Sequence, residues 1–156
     1  TKVIIEDHLE VGYNYRMTDI QAAVGIKQLE RLDSIIEGRR AIASKYLAAF
    51  SDIPFIRLPQ EPEGYFTNWQ SFSIYLKPEC PVSRNELMQD LLDLGIATRR
   101  GVMTTHRETA YKNRGQQVNL PISEDAADRS IVIPLYVPML NEDVDYVIEC
   151  VKECLK

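Results

Sequence analysis

From Thr18 onward apolar residues recur at helical spacing: Ile20, Ala23, Ile26 and Leu29, then Leu32, Ile35, Ile36, Ala43, Tyr46, Leu47 and Phe50. That three-and-four rhythm predicts a helical surface with one buried face. Thr18 and Gln21 form a T-x-x-Q capping box at its start, and Asp19 suits the positive end of the helix dipole. As one helix the span would be roughly 50 Å long, too long for an ordinary globular domain. A bend is therefore predicted near Leu32-Asp33-Ser34, with Asp33 or Ser34 capping a second helix that ends near Phe50. Gly25 inside the first helix costs about 1 kcal/mol relative to Ala, which predicts the close approach of another backbone.

The pattern then changes. Asp52 to Tyr65 is rich in proline and predicts a short extended piece followed by a loop. Asn68 to Leu76 alternates with period two, placing Trp69 and Tyr75 on one face and Phe72 on the other, which predicts a strand. Ser83 and Glu86 form a second capping box, opening a helix through Leu87, Leu91, Leu92 and Leu94 that stops at Gly95. Two more short strands are expected at Ile96–Gly101 and Ser130–Tyr136, with a brief helix capped at Ser123 between them. A last helix capped at Asn141 carries the stripe Val144, Val147, Ile148, Val151 and Leu155. No repeat, low-complexity run or linker interrupts this order, so the expectation is one α+β unit with a small sheet of about three strands covered by helices.

Composition narrows the classes. At 156 residues, 45% hydrophobic and 26% charged, the chain can bury one core. A net charge of −5 with scattered Lys and Arg argues against a nucleic-acid binder, because no basic stripe is available to displace counterions from phosphates. No apolar run approaches the roughly 20 residues that cross a bilayer and no signal peptide opens the chain, so a cytoplasmic protein is the simplest expectation. Cys80, Cys150 and Cys154 form no C-x-x-C pair, and Cys150 and Cys154 at i, i+4 fit one buried helix face. With His8 and His106 the only histidines, no metal site is expected. Glu142, Asp143 and Asp145 suit a helix start better than a catalytic pair. Trp69, Phe72 and Tyr75 fit core packing better than a stacking platform.

The stretch "GYNYRM", Gly12 to Met17, sets an amide and a guanidinium just ahead of a helix start. Its residues either satisfy turn backbone or reach for an anion or polar ligand. Together with the helix that follows, "GYNYRMTDIQAAVGIKQLERLD" closely resembles the signature of the DegT/DnrJ/StrS family of PLP-dependent aminotransferases, which act on nucleotide-linked keto-sugars. "RRAIASKYLAAF", "LLDLGIATRRGVMTTHRETAY" and "AADRSIVIPLYVPMLNEDVDYVI" resemble later blocks of the same family, though Val102-Met103-Thr104-Thr105 stands where many members have an aromatic and a Pro.

The resemblance implies the C-terminal small domain of a fold-type I PLP-dependent transferase, with residues 1–17 connecting from a large cofactor-binding domain and 18–156 forming the small domain. The family's cofactor-anchoring lysine lies in that large domain, and none of Lys2, Lys27, Lys45, Lys77, Lys112, Lys152 and Lys156 has its context. The chain alone is then expected to be inactive and to supply no catalytic residue. What the resemblance implies for its site is Asn14, reaching the pyridoxal 5'-phosphate phosphate group of a neighbouring subunit in a homodimer, with Arg16 close by. On the substrate side it implies Tyr13, Arg99, Arg100 and His106, with glutamate as amino donor. Solvated or structural roles for the two arginines, and a surface or helix-cap role for His106, stay open, as do a stand-alone binding or regulatory module and a non-transaminating relative such as a sugar dehydratase.

Overall fold

A computed structural model describes residues 2–3, 7–111 and 118–156; Lys112 and part of the connecting segment lie outside them. Helices α1 (Asp19–Leu29) and α2 (Leu32–Phe50) open the fold, followed by strands β1 (Ile56–Arg57) and β2 (Phe72–Leu76) and helix α3 (Arg84–Asp93). After β3 (Arg99–Arg100) and a 3-10 turn (Thr105–Arg107) come α4 (Pro121–Arg129), β4 (Ser130–Ile133) and α5 (Asn141–Cys154). The sheet is antiparallel throughout in the order β1-β2-β4-β3. It has four strands where about three were expected, because the proline-rich segment contributes a two-residue edge strand at Ile56–Arg57.

Register places the core. Phe72 opposes Ile133 and Ile74 opposes Ile131, and all four are buried on one face with Leu76. Against that face lie Ile42, Ala43, Tyr46 and Phe50 of α2, Leu87, Met88 and Leu91 of α3, and Val144, Val147, Cys150 and Val151 of α5. The opposite face carries Ser73, Tyr75 and Val132, and α4 lies over it: the Tyr75 hydroxyl donates to Asp125 at 2.5 Å. Tyr46 crosses the core and donates its hydroxyl to the Pro134 carbonyl at 2.8 Å.

Both capping boxes form as the sequence predicts, at Thr18/Gln21 and Ser83/Glu86. Four local expectations are corrected. The two helices break as expected, at Glu30-Arg31 just ahead of Leu32, but α2 starts without the expected Asp33 or Ser34 cap, the Ser34 hydroxyl instead donating to the Arg31 carbonyl. Ser123 and Asn141 lie inside their helices, which begin after Leu120 and Leu140, with Pro121 at the first turn of α4. Trp69 is not in a strand: at φ 47° its backbone is left-handed, the alternation fails there, and its buried ring stacks on Phe72 at 5.7 Å. Gly25 has nothing within 4 Å of where a Cβ would sit. Indeed α1 buries no residue, and Ile20, Val24, Ile26 and Leu29 are between 58% and 80% exposed.

The amino-terminal segment docks on the domain. The Val3 N–H donates to Gln89 Oε1 at 2.9 Å, the Thr109 hydroxyl donates to both oxygens of Asp7 at 2.7 and 3.0 Å, and the Ala110 N–H donates to the His8 carbonyl at 2.8 Å. His8 Nδ1 lies 2.8 Å from Glu108 Oε2.

Candidate functional site

Gly12 to Met17 leads without regular secondary structure into the Thr18 cap, with Tyr13, Asn14, Tyr15 and Arg16 all exposed. The rings of Tyr13 and Tyr15 lie 5.8 Å apart. Asn14 and Arg16 make no hydrogen bond or ion pair among the described residues, so the amide and the guanidinium are presented outward. The turn chemistry ahead of α1 is carried by Thr18 and Gln21 instead: the Thr18 N–H donates to Gln21 Oε1 at 2.8 Å.

The substrate-side candidates separate. Arg99 pairs with Val132 and Arg100 with Ile131, so adjacent strand residues project to opposite faces of the sheet. Both border a cleft of about 420 Å³ along the β3–β4 edge. Arg100 also enters a second cleft, of about 380 Å³, between the starts of α3 and the loop that follows β3. There it meets Arg84 and Arg107, which the sequence did not single out. Arg84 hides behind the Ser83 capping box as an ordinary first-turn residue, and Arg107 sits beside the more conspicuous His106; only folding brings these positions together.

Arg84 donates to Asn85 Oδ1 at 2.7 Å and to the Ala127 carbonyl at 3.2 Å. Burial lowers its pKa, and the neighbouring Arg100 guanidinium adds to the effect. Arg107 donates to both oxygens of Asp128, at 2.9 and 3.0 Å, and that bond raises its pKa.

His106 turns to α4. Its Nε2 lies 2.8 Å from Glu124 Oε1, an oxygen that also accepts the Leu120 N–H at 3.0 Å. The Leu120 bond first, and His106 second, lower the Glu124 pKa. His106 therefore steadies the start of α4 and is not among the residues that border the Arg100 cleft. A third cleft, of about 300 Å³, lies between His8, Val11 and Gly12 of the docked segment and Met103, Thr105 and Tyr111.

Among the described residues no helix is long and apolar enough to cross a membrane. Lys27 pairs with Glu30, Lys45 donates to Asn141 Oδ1 and Lys77 donates to the Pro54 carbonyl. No described lysine is buried.

Residues 2–152 match the sequence profile of the DegT/DnrJ/EryC1/StrS aminotransferase family. GDP-perosamine synthase of Vibrio cholerae is 32% identical over 145 residues, covering 93% of this chain and 39% of that protein. Among solved structures, the PMP form of the putative sugar aminotransferase Spr1654 from Streptococcus pneumoniae superposes with a TM-score of 0.79 at 29% identity, over 88% of this chain and 35% of that one. Helicobacter pylori PseC, an aminotransferase of pseudoaminic acid biosynthesis, shares the fold with a TM-score of 0.82 at 19% identity, over 99% of this chain and 42% of its own. The chain thus spans about two fifths of the length of these relatives.

Proposed function

This chain belongs to the DegT/DnrJ/EryC1/StrS aminotransferase family, and from that premise we propose that it acts as the small domain, residues 18–156, of a PLP-dependent aminotransferase for nucleotide-linked keto-sugars. The observation that carries this reading is the family match through residues 2–152, joined by a sugar-nucleotide relative at 32% identity. In this reading residues 1–17 lead from a large cofactor-binding domain. The enzyme works in the cytoplasm as a homodimer, and glutamate is the amino donor for amino-sugar biosynthesis.

The residues present fit one part of the cofactor's needs. Pyridoxal phosphate, when bound, supplies the electron sink through which an amino group passes from amino acid to sugar carbonyl. The outward amide of Asn14 is a neutral donor suited to a phosphate oxygen, and the guanidinium of Arg16 adds charge beside it. Anchoring the cofactor needs a desolvated lysine, and the described lysines are exposed or half-buried, several with partners. This domain's part is then to hold phosphate and sugar while another segment anchors the ring, which leaves the chain inactive alone. Tyr13, Arg99, Arg100 and His106 remain substrate-side candidates, with Arg99 and Arg100 serving different faces of the sheet.

The test is PLP uptake, comparing the 156-residue chain with a protein extended upstream. The extended protein should gain a visible absorbance band that borohydride fixes covalently, and Asn14→Ala should weaken its PLP affinity about tenfold. Stoichiometric uptake by the short chain at one of its own lysines would overturn the assignment.

A further inference from the structure

We propose that Glu108 and Thr109 are positioning residues for Asn14: they fasten the Asp7–His8 stretch of the docked segment to the loop after β3 and so fix where the Asn14 amide is presented. The inference rests on the aminotransferase reading above, in which that amide meets the cofactor phosphate.

Every residue from Asp7 to Gln21 is exposed and α1 buries no residue, so burial does not hold Asn14 in place. Directional contacts do so instead. The Thr109 hydroxyl donates to the Asp7 carboxylate, His8 Nδ1 lies 2.8 Å from Glu108 Oε2, and the Ala110 N–H donates to the His8 carbonyl. Beyond His8 the chain follows the same loop, with Val11 and Gly12 facing Met103, Thr105 and Tyr111 across the cleft of about 300 Å³. Gly12 is two residues short of Asn14, and the Thr18 capping box closes the stretch four residues after it.

The loop is a firm platform for this contact. Thr104 is buried and its carbonyl accepts the Arg107 N–H at 3.0 Å. Arg107 grips Asp128 and His106 meets Glu124, so α4 holds the loop at two points. The Glu108 side chain is 13% exposed against 49% for His8, which makes the loop the fixed partner and the segment the one that docks. A ligand's apparent affinity falls with the fraction of molecules whose donor is in place. Loosening the Asp7–His8 contact therefore lowers phosphate affinity through Asn14, without Glu108 or Thr109 touching the phosphate.

The test compares, in the upstream-extended protein, the affinity for PLP with that for pyridoxal, which lacks the phosphate. Glu108→Ala combined with Thr109→Val should weaken PLP binding about fivefold and leave pyridoxal binding unchanged, whereas damage to the fold weakens both. Thr109→Ser keeps the hydroxyl and should bind PLP as the wild type does. In an Asn14→Ala background the double variant should add nothing, because its effect runs through that amide. The Ala110 amide of the double variant should exchange with deuterium about tenfold faster, a readout of segment release that needs no cofactor. Unchanged PLP affinity, equal loss of PLP and pyridoxal, the same loss with and without Asn14, or unchanged Ala110 exchange would each overturn the positioning role and leave the aminotransferase reading standing. No PLP uptake by the extended protein, or an Asn14→Ala variant that binds PLP as the wild type does, defeats instead the aminotransferase reading or its Asn14 assignment, and the inference falls with it.

Discussion

Arg40 of α2 grips Glu61 through two guanidinium–carboxylate hydrogen bonds of 2.7 and 2.8 Å, and the same Nη1 reaches the Thr67 carbonyl at 2.7 Å. The Thr67 N–H returns to Glu61 at 2.7 Å, and the guanidinium lies 4.3 Å over the Phe66 ring. One helix residue thereby ties Glu61, Phe66 and Thr67 of the connection between β1 and β2 to α2. The Arg40 bonds first, and the Thr67 bond second, hold the Glu61 carboxyl down at about 2 against an ordinary 4.5. The unfolded chain then takes up this proton more readily than the folded one. The stabilisation is complete above about pH 4.5 and drains away as pH falls toward 2. Thermal melts should show Glu61→Gln less stable than the wild type near neutrality, with the two curves converging across that acid window. Parallel curves would mean that the grip does not form in solution.

Tyr46 has no solvent exposure, and its hydroxyl answers the Pro134 carbonyl at the end of β4. Burial raises its pKa well beyond the ordinary range for a phenol. Tyr46→Phe keeps the ring contacts with Phe50 and Phe72 but leaves the carbonyl unanswered. Urea unfolding should register a loss of about 1 to 2 kcal/mol with an unchanged m-value.

Gly101 follows β3 where the sheet leaves no room: a Cβ there would stand 2.5 Å from Ser130 Cβ and 2.6 Å from Ser73 Oγ. Its N–H donates to the Ser130 carbonyl at 3.0 Å, so the backbone cannot retreat without losing that bond. Gly101→Ala should cost about 1 to 3 kcal/mol. The amides of Arg100 and Gly101 should exchange with deuterium faster than in the wild type. Gly25→Ala, in open space on α1, is the control and should be neutral or slightly stabilising.

The bare face of α1 separates this chain's own stability from that of a larger assembly. Ile20→Asp and Val24→Asp should shift unfolding of the 156-residue chain by less than about 0.5 kcal/mol, because neither side chain has core contacts to lose. In the upstream-extended protein, where the proposed large domain would cover this face, the same changes should lower the thermal midpoint by several degrees. An unchanged midpoint would mean that the large domain does not pack on α1.

How much was legible depended on whether a feature is local. Thr18/Gln21 and Ser83/Glu86 are complete within four residues, and both boxes form as written. The stripe Val144, Val147, Val151 and Leu155 is buried because its periodicity alone selects a face, and Cys150 joins it. Trp69 misled because alternation was extended through a residue whose backbone turns left-handed, something side-chain pattern does not encode. Ser123 and Asn141 are good cap types, but Pro121 and the chain's approach from Leu140 set the helix starts first. Gly25 misled through an inference about packing on a helix that packs on nothing within this chain. The site divides the same way. "GYNYRM" announces itself in sequence, whereas the Arg84–Arg100–Arg107 convergence exists only after a strand, a helix start and a loop have been assembled.

The docked amino-terminal segment has a consequence for the order of events in folding. Its hydrogen bonds to Gln89, Glu108 and Thr109 join residues 86, 100 and 102 positions apart, among the longest closures in the fold. Such closures carry the greatest entropic penalty, and they return a few polar contacts and the half-buried packing of Val3 against the core. The sheet and its helices therefore assemble without them, and the segment fastens last. In reverse it is the first to let go, so the Ala110 amide, which answers the His8 carbonyl, should open to solvent at a small fraction of the global unfolding free energy. Two of the domain's clefts, walled in part by Asp7 and His8, are completed only with that final step.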